Sequence, residues 1–385
     1  MSSEDISLAS LFDRTVFLLG AGASMAAGCL SSKEMLLDLR STIDEAAGRG
    51  AGAEFSAIYG FIIQSLVYQR ALKGDPESRL FELTNIEDFV AVLRQMLDRE
   101  YVVPPPLIGN WNSKITGWEL KNENVFTEFL NFAYDCLLNK WTKFERDKAE
   151  VLLQPIRVLL ESDEDFDMSI FSLNYDLVFE SVFNNEQEHL VDVGFSQKRW
   201  SGDFGDPLSP AKLKLYKLHG SVDWYFDESD EEVKEGVPEG VRPLVVFGSG
   251  PKLQSYDPFL SLLGGFRDKL KAASVFVAIG YSFQDKYINN ILIQSLSAGL
   301  NKILLIVDPF LDVDKMKFIE RVEKFQAVKS MNEIINLTKM NPERVEIYQT
   351  SAREFFGTFF LNKAQKLKDV LSSTERGDQI FGSAE

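Results

Sequence analysis

Six apolar runs, MSIFSLN, KLYKLHG, PLVVFGS, SVFVAIGY, KILLIVDP and RVEIYQT, succeed one another between Met168 and Thr350 and constrain this chain more than any other feature. Each has strand character, and five end in Gly, Asn, Asp or Ser, residue types that begin the loops at a sheet's carboxyl edge. A seventh run, TVFLL at 15–19, is apolar without alternation, as a strand buried on both faces of a parallel sheet must be. Helix-like stretches, SFQDKYINNILIQSLSAGL and SAREFFGTFFLNKAQKL, lie after two of the runs. Strands interleaved with helices have few ways to bury their faces, and a parallel sheet covered on both sides is the usual one.

The fold class that follows is α/β, a Rossmann-like, doubly wound, mostly parallel sheet. Between its first and second strands lies a block with apolar residues three and four apart: FSAIYGFIIQSLVYQRAL, NIEDFVAVLRQML, NVFTEFLNFAYDCLLNKWTKF and AEVLLQPIRVLLES. The expected organisation is a discontinuous nucleotide-binding domain at 1–30 and 161–360. A helical insertion occupies 31–160, and a helix end and polar tail occupy 361–385. The acidic runs ESDEDFD (161–167) and DESDEEVKEG (227–236) read as solvated loops.

Composition narrows the function. With 45% hydrophobic and 12% aromatic residues the chain is globular, and a net charge of -17 disfavours nonspecific nucleic-acid and anionic-membrane binding. No basic patch or long apolar span offsets that, so neither nucleic acid nor membrane is an expected partner. The acidic, polar N-terminal stretch lacks the pattern of a signal peptide. Two cysteines, Cys29 and Cys136, supply neither a disulfide framework nor a four-cysteine zinc site, and they fit a reducing cytoplasm.

Three segments carry candidate chemistry. FLLGAGASMAAG (17–28) is an apolar run breaking into glycines, with Ser24 at an N-cap position, a pattern that aims backbone N–H groups and a helix N-terminus at a phosphate. A turn of small residues between strand and helix is the plain alternative, since Met25 stands where a dinucleotide fingerprint has its third glycine. FSLNYDLVFE (171–180) ends a strand on Asn174 and Asp176, which alternation sets on one side; such a pair also serves as a turn or helix cap. KLHGSVDW (217–224) places His219, one of two histidines, beside a glycine, where it is either functional or a satisfied core residue. The other, His189, lies in a polar run and reads as solvated. Asp308, at the end of KILLIVD, is a candidate partner for a ribose.

These segments, taken in order with G-Y-S-F at 280–283, resemble the glycine loop, Asn-Asp motif, His-Gly motif and later Gly-x-Ser strand end of sirtuins. The resemblance implies NAD binding, with Asn174 and Asp176 at the nicotinamide ribose and amide and His219 acting on the ribose hydroxyls. It implies a pyrophosphate cradle of Gly20, Ala21, Gly22 and Ser24, with Gly280, Ser282 and Asp308 on the adenosine side. The zinc module of protein deacylases is missing, because no cysteine lies between His219 and Gly280. With NIEDF at 85–89 and G-Y-S-F-x-D, the chain is most similar to bacterial sirtuin-like antiphage proteins that destroy NAD, notably the subunit paired with a HerA-type ATPase. The implied activity is an NAD glycohydrolase using NAD as substrate, without zinc, in a homo-oligomer. An NAD-dependent deacylase or ADP-ribosyltransferase, and a non-catalytic NAD or ADP-ribose sensor, are the alternatives.

Overall fold

The computed structural model describes residues 7–46, 52–72, 84–97, 111–162, 165–184, 189–202, 204, 211–248, 257–299, 302–310 and 344–361. The chain divides into a sheet-bearing unit (1–29, 144–245 and 253–385) and a helical unit (30–143 and 246–252). The expected tail, 361–385, lies outside the described residues apart from Leu361.

The chain begins with α1 (Leu8–Asp13) and β1 (Thr15–Leu19), and continues through α2 (Ser32–Ala46), α3 (Gly52–Leu72), α4 (Ile86–Leu97), α5 (Trp111–Glu119) and α6 (Val125–Cys136). After α7 (Arg146–Leu160) come β2 (Met168–Ser172), α8 (Val178–Phe183), β3 (Val191–Asp192), β4 (Phe195–Ser196), β5 (Arg199–Trp200) and β6 (Leu213–Lys217). The remainder comprises β7 (Trp224–Asp227), β8 (Glu232–Glu235), α9 (Phe259–Ala272), β9 (Val275–Ile279), α10 (Lys286–Ser297), β10 (Ile303–Val307), β11 (Val345–Tyr348) and α11 (Ala352–Leu361).

Seven strands form one parallel sheet in the order β11-β10-β9-β1-β2-β6-β3. The doubly wound class is thus observed: the chain leaves β1 toward β2 and β6, then returns to β9 and proceeds outward the other way. Strands β1, β2, β9 and β10 are buried at every residue, which is why their sequences lack alternation. Phe17, Leu19, Ile170, Val277 and Leu305 join Leu152, Ile156, Phe179, Phe355 and Phe359 in a core beneath one face. On the other face Phe171 meets Phe266 of α9 at 4.9 Å between ring centroids. Helices therefore cover both faces.

Three expectations change. Helix α7, read as part of the insertion, packs against α8 and α11 in the sheet unit, because Leu152, Leu153, Ile156 and Leu159 face its core. PLVVFGS is no strand: Val245 makes a single bridge to Gly220, while Phe247 belongs to the helical unit, against Tyr134 and Trp141. The acidic run 227–236 is not wholly loop, for Glu232–Glu235 is β8, in a four-stranded antiparallel sheet ordered β4-β5-β8-β7. Lys234 bridges Asp227 at 2.7 Å and also pairs with Asp230, which holds that hairpin's acids together.

In the helical unit, Phe55 stacks on Phe129 at 4.6 Å and Tyr59 and Phe89 complete an aromatic core. A π-turn at Leu137–Trp141 ends α6, and the Trp141 indole donates to Asp38 at 2.8 Å. Among the described residues no helix is long and apolar enough to cross a membrane.

Candidate functional site

The sheet's registers bring the sequence candidates to one rim. Leu19 pairs with Ser172 and with Ile279, Ser172 with Lys217, and Val307 with Ile279. Gly20, Asn174, His219, Gly280 and Asp308 therefore leave five neighbouring strands within one or two residues of the same level. Neighbouring strands lie about 4.8 Å apart, so the row spans roughly 19 Å from β6 to β10.

At its centre the glycine turn meets the end of β9. The N–H of Gly20 donates to Ile279 O at 3.0 Å and that of Gly22 to Gly280 O at 3.0 Å. A Cβ on Gly280 would lie 2.4 Å from Ala23 N and from Gly22 C, and its φ is +59°. Glycine stands at these positions so that two backbones can touch. Of the four residues expected to cradle a phosphate, Gly20 and Gly22 thus have their N–H groups engaged within the protein. Ala23 and Ser24 N–H groups also bond within the turn, to Gly20 O and Ala21 O, whereas the Ala21 N–H has no partner among the described residues. No long helix starts here: two 3₁₀ turns, Ala21–Ala23 and Met25–Ala27, follow and end on Gly28 at φ +108°. Ser24 makes no capping bond.

What Ser24 does instead is receive Asn174. The Asn174 Nδ2 group donates to Ser24 Oγ and to Gly20 O, both at 3.0 Å, across about 150 residues of sequence. With both N–H bonds spent, the amide oxygen is the group left to face a ligand. Ser172 Oγ accepts from the Asn174 backbone N–H at 3.1 Å and fixes the residue's entry from β2. Asp176, by contrast, behaves as the cap that its spacing allowed: Oδ1 accepts from Val178 N at 3.1 Å at the start of α8. The buried Cys29 thiol also donates to its carboxylate, and burial together with that negative charge pushes the thiol's pKa up.

His219 is 7% exposed, and its Nε2 lies 3.1 Å from Asp285 Oδ2. Asp285 escaped the sequence reading of individual residues, although G-Y-S-F-x-D contains it. The retrievable signal was an Asp directly before an amphipathic helix; its Oδ1 caps α10 through Tyr287 N at 2.9 Å and Ile288 N at 3.2 Å. Gly220, at φ +78°, turns the chain so tightly that a Cβ would lie 2.1 Å from Leu244 O. The next segment returns to the Asn-Asp loop, where Val222 N donates to Tyr175 O at 3.0 Å.

A closed circuit results: Asn174 to the glycine turn, the turn to Gly280, the 280–285 loop through Asp285 to His219, and the His-Gly segment back to Tyr175. Ser282 is exposed in that loop. Asp308 stands two strands from β1, and its Oδ1 accepts from Phe310 N at 2.7 Å.

At the end of β6, Lys217 and Lys198 act on a group of acidic residues. Lys217 is 1% exposed and donates to Glu180 at 2.7 Å and to the Asp176 carbonyl. Burial raises the pKa of Glu180, against the opposing pull of Lys217, and burial likewise raises Asp223. Glu235 is pushed up to about 7, by burial first and then by Asp223 and Glu180. Among the described residues no cluster of three or more His, Cys, Asp and Glu is arranged to hold a metal ion.

Residues 168–324 match the family model described as SIR2-like domain. That span contains the Asn-Asp, His-Gly and G-Y-S-F-x-D segments but not the glycine turn. The chain is similar to a solved structure described as Sir2-p53 peptide-NAD+, at 13% identity and a TM-score of 0.36, covering 91% of this chain and 92% of that one. It is also similar to one described as Structural Basis for the Mechanism and Regulation of Sir2 Enzymes, at 12% identity and a TM-score of 0.38, covering 95% and 99%. No curated protein matches the chain.

Proposed function

We propose that the chain is an NAD glycohydrolase that releases nicotinamide and ADP-ribose. The observation that carries this reading is the hydrogen-bonded circuit joining Asn174, the glycine turn and His219 at one sheet rim, within a chain whose residues 168–324 match a SIR2-like domain. Dinucleotides bind at the carboxyl rim where strand order reverses, and here that is the β1–β9 boundary.

In the proposed reaction the bond between the ribose C1′ and the nicotinamide nitrogen breaks, and its electron pair leaves with nicotinamide. Positive charge develops on the ribose, and a water oxygen bonds to C1′ and loses its proton. The Asn174 Oδ1 orients that water or the nicotinamide amide as an acceptor, the role its spent N–H groups leave to it. His219 takes a proton through the ribose hydroxyls as general base. Asp176 contributes negative charge at the nicotinamide end while it caps α8. The pyrophosphate meets the Ala21 N–H and the small residues about it rather than the N–H groups of Gly20 and Gly22, with Gly280, Ser282 and Asp308 toward the adenosine.

The ordered motifs also support a biological setting: depletion of NAD during phage infection, in the cytoplasm, by a homo-oligomer working with a HerA-type ATPase. Co-purification of such an ATPase with the full chain tests the pairing. The enzymatic proposal is tested by incubating purified protein with NAD and separating products by liquid chromatography. Asn174→Ala and His219→Ala should each abolish nicotinamide release with circular dichroism unchanged. Transfer of ADP-ribose to protein, or loss of acetyl groups from peptides, would favour the transferase or deacylase reading. Calorimetric binding without any product would favour a sensor.

A further inference from the structure

We infer that Asp285 is the positioning residue of His219, holding the neutral imidazole in the Nε2–H form so that Nδ1 carries the basic lone pair. This rests on the hydrolase reading for its catalytic consequence, but the tautomer itself does not. A neutral imidazole has one donor and one acceptor nitrogen, and the partner of one nitrogen decides the role of the other. The partner here is a carboxylate, an acceptor only, 3.1 Å from Nε2, with both side chains over nine-tenths buried.

Asp285 is equipped to hold that arrangement. Its Oδ1 is committed to the N–H groups of Tyr287 and Ile288 at the N-terminus of the 12-residue α10, where the helix favours a negative charge. Oδ2 is thereby aimed at the imidazole. The loop that delivers it is braced: Tyr281 Oη donates to Asn289 Oδ1 at 2.7 Å and lies 3.2 Å from the Asp285 carbonyl. Asn289, fully buried, donates from Nδ2 to Phe283 O at 2.7 Å. Phe283 sits at φ +55°, a conformation that these bonds help to fix. Because Gly22 N donates to Gly280 O at 3.0 Å, the same loop that aims Asp285 also registers the glycine turn that holds Asn174.

The experiment exploits composition: with two histidines in the chain, His189 exposed and His219 buried, ¹⁵N-histidine labelling gives two resolvable rings. Long-range ¹H–¹⁵N correlation spectra recorded where the rings are neutral report each tautomer directly. His219 is expected as Nε2–H, and Asp285→Asn, which keeps a good N-cap residue, is expected to convert it toward Nδ1–H. The same variant should lower kcat for nicotinamide release by on the order of 10²–10⁴-fold, the range of general-base and tautomer effects, with KM within about threefold. Asp285→Ala, which loses the cap as well, should also lower thermal stability. His219 as Nδ1–H in the wild-type protein, or Asp285→Asn with unchanged tautomer and turnover, would overturn the assignment. A wild-type protein inert toward NAD but showing the expected tautomers supports the assignment and overturns the hydrolase reading instead.

Discussion

Lys217 is the residue at which the site and the core share a charge. It is buried against Glu180 and the Asp176 carbonyl, and Asp223 and Glu235 feel its field. Lys217→Met should cost about 3–5 kcal/mol in urea unfolding, because it leaves the buried Glu180 without the cation it pairs with. Glu235 carries a separate expectation. Its folded pKa of about 7 exceeds the ordinary 4.5, so the folded chain binds that proton more tightly than the unfolded chain does. The stabilisation is whole below about pH 4.5 and is lost as pH rises through about 7. Glu180 and Asp223 shift in the same direction. The urea midpoint should therefore fall between mildly acidic and neutral pH, less steeply in Glu235→Gln. Of these residues, Asn174 and His219 were legible because each follows an apolar strand at its carboxyl end. The pairing of His219 with Asp285, and of Asn174 with Ser24, was not, since contacts across 66 and 150 residues leave no periodic trace.

Among the elements, the junction of β1 and β9 is one that a single added atom disrupts. Gly280→Ala places a Cβ 2.4 Å from two backbone atoms at φ +59°, so the turn must move away from the sheet. A loss of about 2 kcal/mol or more in unfolding, with weakened NAD binding by calorimetry, is expected. An unchanged melting curve would contradict the role given to that contact. The parallel strands were readable because burial on both faces removes alternation. The antiparallel strands were not: at two to four residues they are too short to show a period, and their charges read as loop. PLVVFGS misled for the opposite reason, being apolar because Phe247 packs among helical-unit aromatics rather than in the sheet. The contact of the glycine turn with Gly280 left no sequence signal either, because sequence shows glycines but not the acceptors of their N–H groups.

At the scale of the molecule, an acidic chain of 385 residues folds as a parallel-sheet unit bearing the candidate site and a helical unit with its own aromatic core. The sheet class followed from strand pattern alone. The helical unit followed less closely, since α7 is as amphipathic as its predecessors and only packing assigns it to the sheet. The central claim is that the Asn174–glycine turn–His219 circuit cleaves the bond between nicotinamide and ribose. Chromatography of NAD incubated with the 385-residue chain, beside Asn174→Ala and His219→Ala, tests it most directly. Equimolar nicotinamide and ADP-ribose from the wild type and neither from the folded variants is the expected result; full turnover by both variants would contradict it.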